Sequence, residues 1–418
     1  MQEPKQTGME GLIKEIRAAV SETMEMDRDL SDAGIRERIV KAVFDRSRQQ
    51  YLGIDEKRHV VEAVFNSMRR LDVLQPVIDD RTVTEIMVNG PDRIFIERNG
   101  RVSGLDARFA SSEKLEDVIQ SIVAKTNRTV NESNPIVDAR LPDGSRINIV
   151  LKPVALNGPI MTIRKFPAEP MTMGQLAEAG SLTREAAEAL EGLVKAKYNI
   201  FICGGTGSGK TTFLNALAGF IPKDERIVTI EDSAELQIRN IDNIVSLETR
   251  NANTEGKGLI TIRDLIRTSL RMRPERIIVG EVRGPEALDM LQAMNTGHDG
   301  SISTGHANSP GDMLNRLETM VLSAAPIPLE AIRQQTASAI DILIHLSRLR
   351  DRSRRVLSVS EVAGYSGGRI RLNTLFEFCD KGDAPDGSVD GYLKRTGNSM
   401  QHLGKFKLSG IACSLSGG

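Results

Sequence analysis

Asn199-Ile200-Phe201-Ile202-Cys203-Gly204-Gly205-Thr206-Gly207-Ser208-Gly209-Lys210-Thr211-Thr212 is the stretch that decides the fold. Ile200, Phe201, Ile202 and Cys203 read as a buried strand, and Phe213, Leu214, Ala216 and Leu217 follow at helical spacing. Between them stands G-x-x-x-x-G-K-[ST], in the strand–loop–helix setting that this pattern requires. A loop wrapped around phosphates needs inward-pointing backbone N–H groups, and glycine permits the dihedrals involved. The helix N-terminus that follows adds partial positive charge. Gly204, Gly205, Thr206, Gly207, Ser208, Gly209, Lys210, Thr211 and Thr212 are therefore the candidate nucleotide-binding residues. Lys210 is placed to reach the β- and γ-phosphates, and the Thr211 hydroxyl to bind Mg²⁺. The expected ligands are ATP and Mg²⁺.

Working outward, two more apolar strands end in carboxylates. Ile227, Val228, Thr229 and Ile230 lead into Glu231-Asp232-Ser233-Ala234-Glu235, and Ile277, Ile278 and Val279 lead into Gly280-Glu281-Val282-Arg283. In open α/β sheets the carboxyl ends of the strands face the ligand. Hydrolysis needs an acidic group that holds Mg²⁺, often through water, and another that orients the attacking water. Glu281 fits the first role and Glu231 the second, with Glu235 in support. Gly280 stands where many phosphate-loop enzymes carry Asp.

The segment Gly297-His298-Asp299-Gly300-Ser301-Ile302-Ser303-Thr304-Gly305-His306 holds two of the chain's five histidines, eight residues apart. The reading is a strand and loop beside the phosphates, with His298 and His306 sensing or contacting the γ-phosphate. Arginines that neutralise transition-state charge can come from the same subunit or from a neighbour. Arg140 and Arg146 bracket the Pro142-Asp143-Gly144 turn, and Arg164 ends a later strand. All three precede the phosphate-loop domain.

Composition narrows the class. The chain has 418 residues, 40% hydrophobic and 27% charged, with a net charge of -1. That length predicts two or three domains, and the balance is that of a globular protein and not of a nucleic-acid binder. With no Trp and only 4% aromatic residues, a base-stacking channel is not expected. Three dispersed cysteines predict neither a disulfide framework nor a zinc module, and they fit a reducing cytosol. Leu12, Ile13, Ile16, Val20 and Met24 are interrupted by Lys14, Glu15 and Arg17, so the first segment reads as an amphipathic helix and not a secretory leader. No apolar run predicts a transmembrane span.

The expected fold class is α/β: a phosphate-loop domain with a parallel-sheet core, preceded by an α+β domain and a small helical bundle. Residues 1–75 show helical stripes, Ile35, Ile39, Val43 and Phe44 forming one of them. Residues 76–166 alternate short strands with a helix through Leu115, Val118, Ile119 and Ile122. Pro167, Pro170 and Gly174 mark residues 167–182 as a linker and hinge. Residues 183–380 form the phosphate-loop domain, and the Gly- and Ser-rich residues 381–418 read as a loose tail.

Several segments now resemble one family. Thr206-Gly207-Ser208-Gly209-Lys210-Thr211-Thr212, Thr229-Ile230-Glu231-Asp232, Leu270-Arg271-Met272-Arg273-Pro274, Gly280-Glu281-Val282-Arg283 and Met294-Asn295-Thr296-Gly297-His298-Asp299-Gly300-Ser301 occur in order. They look like the Walker A, Asp box, pre-Walker B, Walker B and His box of the type II/IV secretion ATPases. Glu85-Ile86-Met87-Val88-Asn89-Gly90-Pro91 and Asp138-Ala139-Arg140-Leu141-Pro142-Asp143-Gly144-Ser145-Arg146 resemble the CpaF branch, which powers the tight-adherence (Tad or Flp) pilus. The resemblance implies a RecA-like ATPase domain and a homohexameric ring at the cytoplasmic face of the inner membrane. It also implies ATP held between the two domains, and an inner-membrane platform protein as partner, with no stable nucleic acid. It implies that Arg140, Arg146 and Arg164 approach the phosphates, and it supports His298 and His306 as functional residues. A type IV secretion or conjugation ATPase is the alternative, and a RecA-like nucleic-acid motor the more distant one. Gly305 departs from the family, which carries a bulkier apolar residue there.

Overall fold

A computed structural model describes residues 3–24, 31–98, 100–124, 129–141, 143–166, 169–250, 252 and 257–416. They fall into two compact units, Met1–Ala168 and Glu169–Gly418. Pro142 of the expected turn and Pro167 of the expected hinge lie outside the described residues.

The first unit opens with three helices, α1 (Glu3–Met24), α2 (Asp32–Ser47) and α3 (Ile54–Arg69). The Ser31 hydroxyl caps α2 by accepting from the Gly34 amide at 3.3 Å. Leu12, Ile16, Val20, Ile35, Ile39, Val43, Val60, Val64 and Phe65 close a core of their own. Phe44 departs from the stripe expected of it and stays 55% exposed, because it follows Val43 by one residue and turns off the buried face.

After α4 (Gln75–Asp79) come β1 (Val83–Asn89), β2 (Ile94–Arg98), β3 (Arg101–Leu105), α5 (Ser112–Ala124), β4 (Ile136–Arg140), β5 (Arg146–Val150) and β6 (Ile160–Arg164). The six strands form one antiparallel sheet in the order β3-β2-β1-β6-β5-β4. Burial alternates along β5 and β6, so one face packs inward. Leu115, Val118, Ile119 and Ile122 of α5 join that core. Register sets Arg140 opposite Arg146 and Arg146 opposite Arg164, so three arginines stand in one cross-strand row.

The second unit runs through α6 (Met173–Glu178), α7 (Arg184–Lys195), β7 (Ile200–Gly204), α8 (Lys210–Ala218), β8 (Ile227–Glu231), β9 (Ile244–Glu248), α9 (Ile262–Ser269) and β10 (Arg276–Val279). It continues with α10 (Glu286–Met294), β11 (Ile302–Gly305), α11 (Pro310–Ala324), α12 (Leu329–Ala339), β12 (Ile342–Arg348), β13 (Arg354–Ser366), β14 (Arg369–Asp383), β15 (Val389–Arg395) and α13 (Gly404–Ser409). Nine strands form one sheet in the order β15-β14-β13-β12-β7-β11-β10-β8-β9. From β12 to β9 neighbouring strands are parallel, and β13, β14 and β15 extend the sheet antiparallel. β7, β8, β10, β11 and the first five residues of β12 are buried throughout, as strands covered on both faces are, while β9 at the edge is partly exposed. Ile200 and Ile202 of β7 enter the core on one face, and Phe201 and Cys203 the core on the other. The fold class is α/β, with the phosphate loop leaving its central strand.

Two boundaries differ from the sequence reading. Residues 173–182 are not a linker. The Thr172 hydroxyl and Gln175 form a capping box that starts α6, and Met173, Leu176 and Leu182 are buried in the core of the second unit. Nor is the C-terminal segment a loose tail. β15 pairs with the end of β14, and Leu393, Met400, Phe406 and Leu415 are at most 4% exposed. The Phe406 ring packs on Tyr198 with centroids 5.0 Å apart, and the Tyr198 hydroxyl donates to the His402 carbonyl at 2.6 Å. The Gly- and Ser-rich composition belongs to the turns between these elements, and a handful of apolar residues does the anchoring.

Candidate nucleotide site

β7 delivers the phosphate loop at the carboxyl edge of the sheet. Gly204 ends the strand in close contact: a Cβ there would overlap the Leu346 carbonyl of β12 and come within 2.6 Å of the Ser208 hydroxyl. Gly207 and Gly209 have φ of +71° and +94°, in the left-handed region that favours glycine. Gly209 then caps α8, whose first residue is Lys210.

Lys210 is only 8% exposed. Its Nζ donates to the Gly204 carbonyl at 3.1 Å and the Gly205 carbonyl at 3.0 Å, and it stands 3.1 Å from His306 Nδ1. On the far side of the ring, His306 Nε2 lies 2.9 Å from Glu281 Oε1. Burial, and after it the Lys210 ammonium, holds the His306 pKa below the ordinary imidazole value. The imidazole is thus neutral near pH 7; an ammonium at Nδ1 puts the ring proton on Nε2, facing Glu281. Glu281 Oε2 accepts from Arg283 Nη2 at 2.8 Å. The buried Oε1 completes no hydrogen bond among the described residues, although His306 Nε2 is close to it.

The adjacent strands tie this chain into the sheet. Gly280 N donates to the Ile230 carbonyl at 2.8 Å, Val282 N to the Thr304 carbonyl at 2.9 Å, and the Thr304 hydroxyl to the Gly280 carbonyl at 2.7 Å. Glu231 therefore ends the strand next to the one that carries Glu281. Its Oε1 accepts the Glu235 and Leu236 amides at 2.7 and 3.0 Å, which fixes the carboxylate over the strand end. The glycine at 280 now has a cause: a Cβ there would stand 2.9 Å from Glu231 Cγ. Gly305 has one too, since a Cβ would stand 2.9 Å from Met313 Sδ and 3.1 Å from Phe201 Cε1. Those two side chains fill the space that a larger residue would take.

A cavity of about 270 Å³ opens beside the loop, lined by Gly205, Thr206, His306, Ala307, Asn308, Asp312 and Arg316. Asp312 and Arg316 come from α11, and sequence reasoning missed both; their spacing of four residues on a helix that starts just after His306 was the available signal. The donor set suits a nucleotide. The Ser208 hydroxyl is buried within the loop without a hydrogen bond among the described residues, and Thr211 sits at the start of α8. Among the described residues no three His, Cys, Asp or Glu side chains form a protein-only metal cage. Thr211 and Glu281 are the residues that would hold Mg²⁺ here, the second of them through water.

His298 does not join the cluster. It precedes β11 while His306 follows it, and β11 runs parallel to β7 with Ile302 opposite Ile200 and Gly305 opposite Cys203. The full width of the strand separates the two histidines, and His298 lies at the sheet edge opposite the phosphate loop. There the Ser301 hydroxyl donates to the His298 carbonyl at 2.7 Å, and Asp299 pairs with Lys405 at 2.7 Å. Of the two histidines expected beside the phosphates, His306 stands against the phosphate-loop Lys210 and His298 does not. Arg140, Arg146 and Arg164 belong to the first unit, in the cross-strand row described above. Cys203 is buried, which pushes its thiol up to about 12, and all three cysteines are free thiols. Among the described residues no helix is long and apolar enough to cross a membrane.

Comparison with known proteins agrees with this geometry. The model of the family described as type II/IV secretion system protein matches residues 68–377. The conjugal transfer protein TrbB of Rhizobium radiobacter is 35% identical over 298 residues, covering 70% of this chain and 88% of that protein. The type IV secretion system protein VirB11 of Brucella suis is 34% identical over 303 residues, covering 66% and 84%. The solved structure of the ATPase DotB of Yersinia pseudotuberculosis shares the fold with a TM-score of 0.53, at 18% identity over 73% of this chain and 80% of that one. The chain belongs to the type II/IV secretion system protein family.

Proposed function

We propose that this protein is an ATP-hydrolysing motor of a secretion machine, of the type IV secretion and conjugal transfer kind. The observation that supports it best is the continuous contact from the phosphate-loop Lys210 through His306 to Glu281. In this reading Lys210 binds the β- and γ-phosphates and leaves its resting partners, the Gly204 and Gly205 carbonyls and His306, when they arrive. His306 then loses one neighbour and reports phosphate occupancy to Glu281. Glu281, with its buried oxygen open to a water, would hold Mg²⁺ through that water, and Glu231, fixed at the strand end beside it, orients the attacking water. Mg²⁺, when bound, neutralises the developing phosphate charge.

The named relatives favour secretion or conjugation over the Tad pilus expected from the sequence. The pilus reading keeps the support of the Glu85–Pro91 and Asp138–Arg146 segments. A homohexamer, with the arginine row of one unit offered to a nucleotide and a membrane platform as partner, completes the proposal.

The test has two arms. Lys210→Ala is expected to reduce ATP turnover by at least about 100-fold and to weaken ATP binding, since the phosphates lose their point-charge partner. Glu281→Gln is expected to bind ATP and lose turnover to a similar degree. Turnover within a few-fold of wild type in both variants would sink the hydrolysis reading. Deletion of the gene, complemented with wild type or Lys210→Ala, then decides the machine: loss of DNA or protein transfer supports secretion, and loss of surface pili alone supports pilus assembly.

A further inference from the structure

Arg348-Leu349-Arg350-Asp351-Arg352-Ser353-Arg354-Arg355 puts five arginines into eight residues. The segment joins β12 to β13. Leu346 of β12 lies opposite Gly204 of β7, so the turn emerges at the sheet edge that carries the phosphate loop. It stands on the flank of the loop opposite β11, and therefore opposite His306.

The turn is a braced frame. Leu349 N donates to the Ser353 carbonyl at 2.8 Å, and Arg352 N to the Leu349 carbonyl at 2.9 Å. Asp351 accepts from the Ser353 amide and hydroxyl at 2.9 and 2.7 Å, and its other oxygen accepts from Val389 N at 2.8 Å. Arg350 is neutralised by Asp380 at 2.6 Å and Asp383 at 2.5 Å. Arg355 donates to the Gly180 carbonyl and the Ser353 hydroxyl. Arg354 is used differently. Its Nε donates to the carbonyl of Gly207, inside the phosphate loop, at 3.0 Å. Its stem runs beside Gly209, where a Cβ would stand 3.3 Å from Arg354 Cδ. The side chain is exposed, and its two terminal nitrogens have no partner among the described residues. A guanidinium whose one anchored nitrogen grips a phosphate loop, and whose remaining donors face solvent, is arranged for bidentate phosphate recognition.

We propose that Arg354 is a nucleotide ligand, holding the α- and β-phosphates from the flank of the loop away from Glu281 and His306. The acidic and histidine side chains occupy the flank where the terminal phosphate is cleaved, so the opposite flank meets the part of the nucleotide that ATP and ADP share. This rests on the nucleotide reading of the phosphate loop.

The experiment measures ADP affinity of the full-length protein by calorimetry at low and moderate salt, for wild type, Lys210→Ala, Arg354→Ala, Arg354→Gln and Arg354→Lys. Arg354→Ala and Arg354→Gln are expected to weaken ADP about tenfold and to flatten the salt dependence, while Arg354→Lys keeps the charge and the salt dependence but loses the bidentate contact, and weakens ADP by only about threefold. Gln can still donate to the Gly207 carbonyl but carries no charge. If Arg354→Gln restores wild-type affinity and salt dependence, the side chain only braces the loop and the proposal fails. It fails equally if Arg354→Ala stays within twofold of wild type while Lys210→Ala loses ADP. If wild type binds no ADP, the nucleotide reading itself falls, and this inference with it. Should Arg354→Ala not fold, the contrast between the Gln and Lys variants decides alone.

Discussion

Gly280 shows how much a single hydrogen atom in place of a side chain can fix. The strand end is shared by two carboxylates, and Glu231 occupies the space over residue 280 that a Cβ would fill. Gly280→Ala is expected to push Glu231 off its Glu235 and Leu236 amides, at a cost of about 1–3 kcal/mol from overpacking. ATP turnover should fall by at least about tenfold while ATP affinity changes by less than about threefold, because the phosphate loop is untouched. Steady-state kinetics with a parallel binding measurement checks this, and normal turnover would show that Glu231 has no part in the chemistry. At this scale the sequence was readable wherever a motif ties a residue to the carboxyl edge of the sheet, as with Glu281 and His306 just past their strands and Lys210 at the helix start beyond the loop. It misled at His298, because the seven residues between the histidines hold a whole strand of the sheet. It was silent on Arg354, whose partner Gly207 is 147 residues away in the chain. No periodicity or spacing carries a contact of that kind.

At the scale of elements, the antiparallel addition at the C-terminus was the largest surprise. β7, β8 and β10 announced themselves as apolar runs, since both of their faces are covered. β14 buries only Leu375 and Phe376, and β15 only Val389 and Leu393, so no apolar run marks either strand, and glycines and aspartates crowd the turn between them. Their anchor is testable. Phe406 is 3% exposed and packs on Tyr198, which itself is 1% exposed. Phe406→Ala is expected to destabilise the second unit by about 3 kcal/mol or more, read from the midpoint of denaturant unfolding. A loss below about 1 kcal/mol would mean that the segment rides on the surface. The same reasoning moves the start of the domain: Met173, Leu176 and Leu182 are core residues, so a fragment beginning at residue 183 is expected to be less stable than one beginning at residue 169.

The whole molecule sets these pieces into two units, each with its own sheet. A fragment of residues 169–418 retains the whole nucleotide site described here and lacks Arg140, Arg146 and Arg164. It is expected to bind ATP with near wild-type affinity and to hydrolyse it at least about tenfold more slowly than the full chain, if the cross-strand arginines stabilise the transition state. Full turnover by the fragment would remove the arginine row from the mechanism. Within that fragment, β13 and β14 join the two opposite edges of the sheet. β13 alone spans 13 residues, about 40 Å of strand. At one end stands Arg354 on the phosphate loop, with Arg350 tied to Asp380 and Asp383. At the other, Arg333 donates to the Gly368 carbonyl at 2.9 Å while it pairs with Glu318 of α11, the helix that also lines the cavity with Asp312 and Arg316. In mechanical terms the hairpin is a beam clamped at both ends, with one clamp on the loop and the other on a helix that reaches the same cavity. The hairpin and α11, joined through Arg333, are thus two sides of one frame around the candidate nucleotide site.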